Sequence, residues 1–385
     1  MEDVKNSLVK NRLLTVAVLM FLVVTGWWLT VSPLNSDLFV DKKNLWSSSY
    51  EFIAIFGGIC GLFITKHWGG RKSVLGRAVL AFSIGLFLQA FGQVAYNYYT
   101  LFQHMQAPYP SLGDTGYFGS IFAYMYGVIS LARYAGVSIS FKSLTNKILA
   151  VIIPLGLLTL SYFTFLKDYQ FDWSNPLKVF LDFGYPLGQA FYVSIALLVL
   201  FLSRKFLGGI LKKPVLLLTF ALIIQYASDS NFLYQANNNN WYTGSIGDFM
   251  YAVSYFVMTL AIIHIGNIFQ KIRSESQSLP AVKPESGVTT GIDKLHNQIL
   301  TEIIKRQVRV AGYLAWQEVK KVSGITVTNE QDVVVSINGD PKQVIDQLLA
   351  NYKNLFGDLA VEVSKNAVYY LVAELPADQV PDSLK

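Results

Sequence analysis

The sequence predicts an all-α polytopic membrane bundle, eight transmembrane helices arranged as four repeated hairpins, followed by a small cytoplasmic α+β domain. Three observations predict it. The 385 residues are 52% hydrophobic and only 15% charged, with a net charge of +6, which is too apolar a balance for a soluble globule. Apolar runs of roughly 18 to 25 residues recur along the first 270, each enough to cross a hydrocarbon core of about 30 Å as a helix. Between them a short polar pattern returns at a nearly constant interval.

The eight runs fall at about 13–32, 50–67, 78–102, 115–136, 148–167, 179–202, 214–236 and 245–269. The first follows Lys5, Lys10 and Arg12, as a signal peptide would, but no small-residue cleavage site comes after it, so it is expected to persist as a helix. Sixteen Lys and Arg of the loops fall on one side, among them Lys66, Arg71, Lys72, Arg77, Arg133, Lys142, Lys147, Arg204, Lys205, Lys271 and Arg273. Only Lys42, Lys43, Lys167 and Lys178 fall on the other. Positively charged loops resist translocation, so the chain is expected in the cell membrane, bathed in lipid, with both termini cytoplasmic. Residues 1–284 carry 21 basic and 12 acidic side chains, against 10 and 13 in residues 285–385. The basic excess is therefore a topology signal, and no nucleic-acid partner is implied. Cys60 is the single cysteine, which excludes an internal disulfide. The spacing of Gly57 and Gly61 predicts a small-residue packing face inside the bundle, with the seam of a homodimer as the alternative.

The recurring pattern is Asp followed three residues later by Tyr: Asp114 and Tyr117, Asp182 and Tyr185, Asp248 and Tyr251, at intervals of 68 and 66 residues. A further step back lands on Ser47 and Tyr50. Such self-similarity implies a duplicated two-helix unit, and units with an even number of spans are parallel repeats. Each carboxylate or hydroxyl stands near the start of a helix that begins at the outer surface. There the first N–H groups lack partners and the dipole is positive, so a capping role is expected. Each Tyr is expected to anchor at headgroup depth. A direct ligand role for the acids is the alternative.

Polar residues that the pattern does not demand are more informative. The seventh run contains Gln225, Ser228, Asp229 and Asn231, and the cognate third run contains Gln89, Gln93 and Asn97. Ionisable and amide groups inside a span tend to face the bundle interior or a water-filled cavity. The expected ligand site is a cavity open to the outside, walled by Asp229, Asn231, Gln225, Gln93 and Asn97, with Tyr96 and Tyr226 nearby. Interhelical hydrogen bonding without a ligand is the alternative. His264 and Arg133 read as structural groups near the cytoplasmic face. No paired His at helical spacing, nucleophile elbow or phosphate loop is present, so no catalytic residue, metal or cofactor is expected.

After the bundle (1–270) a polar, Pro- and Ser-bearing linker (271–290) leads to an α-β-β-α-α module (291–385). One long amphipathic helix is expected from 292 to 319 on the spacing of Leu295, Ile299, Ile303, Ile304 and Val308. Two β-branched runs around Asn329 predict a hairpin. Asp340 and Pro341 predict the start of a helix that Gly357 ends. The last helix is expected from about Ala360 to Leu371, although its opening residues alternate well enough for a strand. His296 is expected to face solvent.

Pro110, Ser111, Asp114 and Tyr117 match a Pro-Ser-x-x-Asp-x-x-Tyr stretch, and with them the first 270 residues resemble the multi-span membrane input regions that precede prokaryotic diguanylate cyclases and sensor kinases. No cyclase or kinase signature follows, so the resemblance implies signal input and no enzymatic output. The expected function is a membrane sensor or signalling adaptor: a small ligand enters from the outer side and residues 291–385 bind a cytoplasmic protein. A solute transporter with a regulatory tail is the alternative. A membrane-embedded enzyme lacks the acid, base and metal groups such chemistry needs.

Overall fold

The computed structural model describes residues 2–34, 38–105, 107–134, 144–167, 169, 171, 173–202, 212–237, 240–278, 291–311, 313–330 and 332–385. The apolar runs become helices, the form in which a segment in hydrocarbon closes its own backbone hydrogen bonds. In order they are α1 (Glu2–Val31), α2 (Val40–Ser47), α3 (Glu51–His67), α4 (Val74–Asn97), α5 (Leu112–Tyr134), α6 (Leu144–Ser161), α7 (Pro176–Leu202), α8 (Lys212–Asn237) and α9 (Ile246–Ser278). Seven stretches are long and apolar enough to cross a membrane. α5 is not among them, because four Gly and four Tyr dilute its apolar content. Those glycines serve packing: a Cβ on Gly116 would stand 2.5 Å from the Leu88 carbonyl oxygen and 2.7 Å from the Gly92 nitrogen of α4. The short α2 was not anticipated from the apolar runs.

Six of these helices close a ring in the order α3, α4, α5, α7, α8 and α9, each packed on its two neighbours. α1 lies outside this ring against α9, and α6 lies outside it against α7. The third and seventh apolar runs, α4 and α8, are therefore opposite one another. The small-residue stripe of α3 is used within the ring: Gly57 faces Thr259 of α9 and Gly61 faces Ser83 of α4, with Cys60 buried between them. The dimer-seam alternative thus finds its glycines already covered by the chain's own helices.

The tail contains α10 (Ile292–Ala311), α11 (Tyr313–Val319), β1 (Ile325–Asn329), β2 (Val334–Ile337), α12 (Pro341–Phe356) and α13 (Asp358–Val372). α10 and α11 together cover the stretch expected as one helix from 292 to 319, and Gly312 between them lies outside the described residues, as does most of the linker, 279–290. β1 and β2 pair antiparallel, with Val327 opposite Val335. Asp340 caps α12 by accepting from the Lys342 N–H at 3.0 Å, and Gly357, at φ +75°, ends it. Ile299, Ile303, Ile304, Ile345, Leu348, Tyr352 and Val368 are wholly buried and form the core. His296 is a correction: it is 1% exposed, and its Nε2 stands 3.0 Å from the Gln379 carbonyl oxygen. It belongs to the apolar stripe, one turn from Ile299 and Leu300, and the core takes it in.

The tail packs on one end of the ring, α12 against α4 and α13 against α9. Tyr134 at the end of α5 meets Phe356 edge to face at 5.7 Å, and Arg273 of α9 pairs with Glu362 at 3.1 Å. At the α3–α4 turn, backbone touches backbone. A Cβ on Gly357 would lie 2.5 Å from the Trp68 carbonyl oxygen, and one on Gly69 would lie 2.9 Å from the Gly357 Cα.

Candidate functional site

The other end of the ring holds a cavity of about 120 Å³. A single water needs roughly 10–15 Å³ on this measure, so the void is of small-molecule size. Its walls begin with two helix starts. Ser111 precedes α5 and its Oγ accepts from the Gly113 N–H at 3.2 Å, while Asp114 Oδ2 reaches back to the Ser111 N–H at 2.7 Å. At α9, Ser245 Oγ accepts from the Asp248 N–H at 3.2 Å, and Asp248 Oδ2 accepts from the Gly244 N–H at 2.8 Å. Ser is thus the cap and Asp the third helical residue, which closes the box on the cap's own N–H at α5 and reaches one residue further back at α9. In both cases the second carboxylate oxygen stays available for a distant partner. Asp114 Oδ1 accepts from the Tyr185 hydroxyl at 2.8 Å, and Asp248 Oδ1 from the Tyr50 hydroxyl at 2.8 Å.

Asp114 and Asp248 thus stand in the first turn of their helices, beside the capping Ser, and the other two members of the pattern are placed differently. Asp182 lies in the second turn of α7 and accepts from the Tyr109 and Tyr169 hydroxyls at 2.7 and 2.8 Å, while Asn175 caps that helix through the Lys178 N–H. Ser47 ends α2, and its Oγ donates to the Asn44 carbonyl. The expected headgroup anchors also turn inward. Tyr50 is 2% exposed and Tyr185 8%, and Tyr50, Tyr117, Tyr185 and Tyr251 all line the cavity. A Tyr one turn after an Asp shares its helix face. In this ring the shared face points to the centre, where each hydroxyl meets another segment's acceptor.

Asp229 stands about two turns before the Asn237 end of α8, on the cavity wall, and both of its oxygens are engaged. Oδ1 accepts from the Tyr251 hydroxyl at 2.7 Å, and Oδ2 accepts from Gln189 at 2.6 Å and from Gln225 at 3.1 Å. Across the cavity, Gln93 Oε1 accepts from the Tyr50 and Tyr117 hydroxyls at 3.1 and 2.8 Å. Asp229 and Gln93 therefore face one void, although they come from opposite helices of the ring. The other three residues expected as walls stand behind it. Gln225 orients Asp229. Asn97 bridges Gln93 to Glu51 on α3, at 3.3 and 2.9 Å. Asn231 accepts from Gln235 and packs over Gly247.

Residues that the sequence pattern did not single out complete the walls: Tyr109, Phe232, Trp241, Thr243 and Tyr255. Tyr255 is one turn beyond Tyr251 and donates to Gln89 Oε1 at 2.9 Å, and Gln89 donates to Ser120. Their i+4 spacing was the available signal. Gln189 and Glu51 gave weaker ones, each being a lone polar residue near the repeated Tyr. Among the described residues the lining contains the three carboxylates of Asp114, Asp229 and Asp248 and no Lys, Arg or His. Among the described residues no group of three or more His, Cys, Asp or Glu is placed to hold a metal ion. The arrangement presents carboxylates, aromatic rings and hydroxyl oxygens to whatever occupies the void. No family model, no curated protein and no solved structure matches the chain.

Proposed function

We propose that the protein is an integral membrane sensor in which a small ligand held in the tyrosine-carboxylate cavity changes how the tail is presented to a cytoplasmic partner. One observation carries this reading: α9 belongs to both sites. Asp248, Tyr251 and Tyr255 of α9 line the cavity, and Arg273 of the same unbroken helix pairs with Glu362 of the tail. A 33-residue helix is about 50 Å long at 1.5 Å per residue, enough to carry a tilt or shift from one end to the other. Such coupling requires a ligand that binds two arrangements of α9 with different affinity. The resemblance to signalling input regions supports the same reading, with eight spans in four hairpins, the termini cytoplasmic and the cavity facing outward.

The transporter reading needs a route through the ring. Between the cavity and the tail, Phe82, Leu86, Leu218, Leu222, Met258 and Ile262 are each at most 1% exposed, so packed side chains stand where a route would run. The two readings separate in proteoliposomes. A sensor shows ligand-induced thermal stabilisation, lost in Asp229→Asn, with no solute uptake, and removing residues 285–385 abolishes partner capture. Saturable uptake that survives removal of the tail and is lost in Asp229→Asn overturns the sensor.

A further inference from the structure

We infer that the ligand class of this cavity is a compact quaternary ammonium ion, a conclusion that rests on the sensor reading and narrows it. Among the described residues the cavity wall contains three carboxylates and no cationic side chain, so it favours positive charge. The hydrogen bonding then discriminates among cations. Every oxygen of Asp114, Asp229 and Asp248 already accepts at least one bond from the protein: Tyr185 and Ser111, Tyr251 and two glutamines, Tyr50 and the Gly244 N–H. A primary ammonium carries three N–H donors and would have to compete with these built-in partners for the carboxylate lone pairs. A metal ion needs several oxygens with free lone pairs converging on one point. A quaternary ammonium has no donor to satisfy. It requires only a negative field and electron-rich ring faces, the arrangement of an aromatic cage.

The rings are present. Tyr50, Tyr96, Tyr117, Tyr251, Tyr255 and Trp241 line the void of about 120 Å³. A phenol that donates to a carboxylate becomes more electron-rich in its ring, so the Tyr-to-Asp bonds strengthen the cage while occupying the acids. The carboxylates act through space and the rings make the contact.

Isothermal titration of the full-length protein in lipid nanodiscs tests this with choline, its uncharged isostere 3,3-dimethyl-1-butanol, and ethanolamine. Choline is expected to bind about tenfold or more tightly than the neutral alcohol, because a desolvated cation–π contact is worth that much, and more tightly than ethanolamine. Trp241→Phe retains a ring and is expected to keep choline affinity within about threefold, whereas Trp241→Leu loses about tenfold. Thermal unfolding of both variants establishes that they are folded. Equal affinity for choline and the alcohol, or tighter binding of ethanolamine, overturns the quaternary class and leaves the sensor reading standing. Absence of heat with all three compounds also overturns it. Solute uptake by proteoliposomes overturns the sensor reading separately.

Discussion

The two ends of the helix ring are closed by different physics. At the cavity end, side chains from distant parts of the chain satisfy one another: Tyr50 and Asp248 are 198 positions apart, Tyr255 and Gln89 166. At the tail end, the closure is two glycine backbones in contact, one aromatic pair and one exposed ion pair. A buried hydroxyl or carboxylate without a partner is costly, so the polar end admits few alternative arrangements. The tail joint depends on shape, and an exposed ion pair contributes little to it. On the sensor reading proposed above, the polar end would be the specified input and the tail joint the output.

Substitutions that weaken each end sharpen this contrast, and the largest effect is expected at Asp229. Asp229→Leu leaves Tyr251, Gln189 and Gln225 without their acceptor, and a loss on the order of 3 kcal/mol is expected in equilibrium unfolding from detergent. A loss below half of that would break the claim that mutual satisfaction holds the cavity end. At the other end, Gly357→Ala forces a Cβ into a conformation at φ +75° and against the Trp68 carbonyl. About 1–3 kcal/mol is expected there. Faster hydrogen exchange should be confined to α12, α13 and the α3–α4 turn, and spread into the cavity helices would show that the two ends are not separable. Tyr50→Phe removes one hydroxyl that serves both Asp248 and Gln93 and should cost about 1–2 kcal/mol, with the ring still in place. The smallest effect belongs to Arg273→Ala, at most about 0.5 kcal/mol because the pair is exposed, and it should fade in high salt. A larger, salt-insensitive loss would make the tail joint electrostatic after all.

Much of this was legible in the chain itself, and the gaps have physical causes. The apolar runs announced their helices because hydrocarbon leaves a backbone few alternatives. Asp229 was legible because it interrupts an apolar run, and an acid in that setting must face a partner. The Asp and Tyr pattern was legible as a pattern, but not its direction. Whether Tyr50 faces lipid or the centre depends on which helices flank α3, and those contacts come from α4 and α9, the latter far along the chain. The same limit hid Trp241 and Tyr109, whose loops are brought to the cavity by the ring. α5 shows the converse: its sequence predicts a span like the others, and the Gly and Tyr that lower its apolar content are what allow its close approach to α4. His296 was misread by residue type when its position in the stripe already pointed to the core.

The bond between Tyr50 and Asp248 bears on how the protein is made. Synthesis delivers α3 and α4 long before α9, so the ring cannot shut until the last membrane helix is released. In the interval the early pair is not left with bare polar groups, because Gln93, Asn97 and Glu51 form a chain of hydrogen bonds between α4 and α3 alone. The early pair thus carries its own interim partners into the bilayer, Gln93 among them for the Tyr50 hydroxyl, and the final helix arrives as a keystone whose Asp248 offers that hydroxyl a carboxylate.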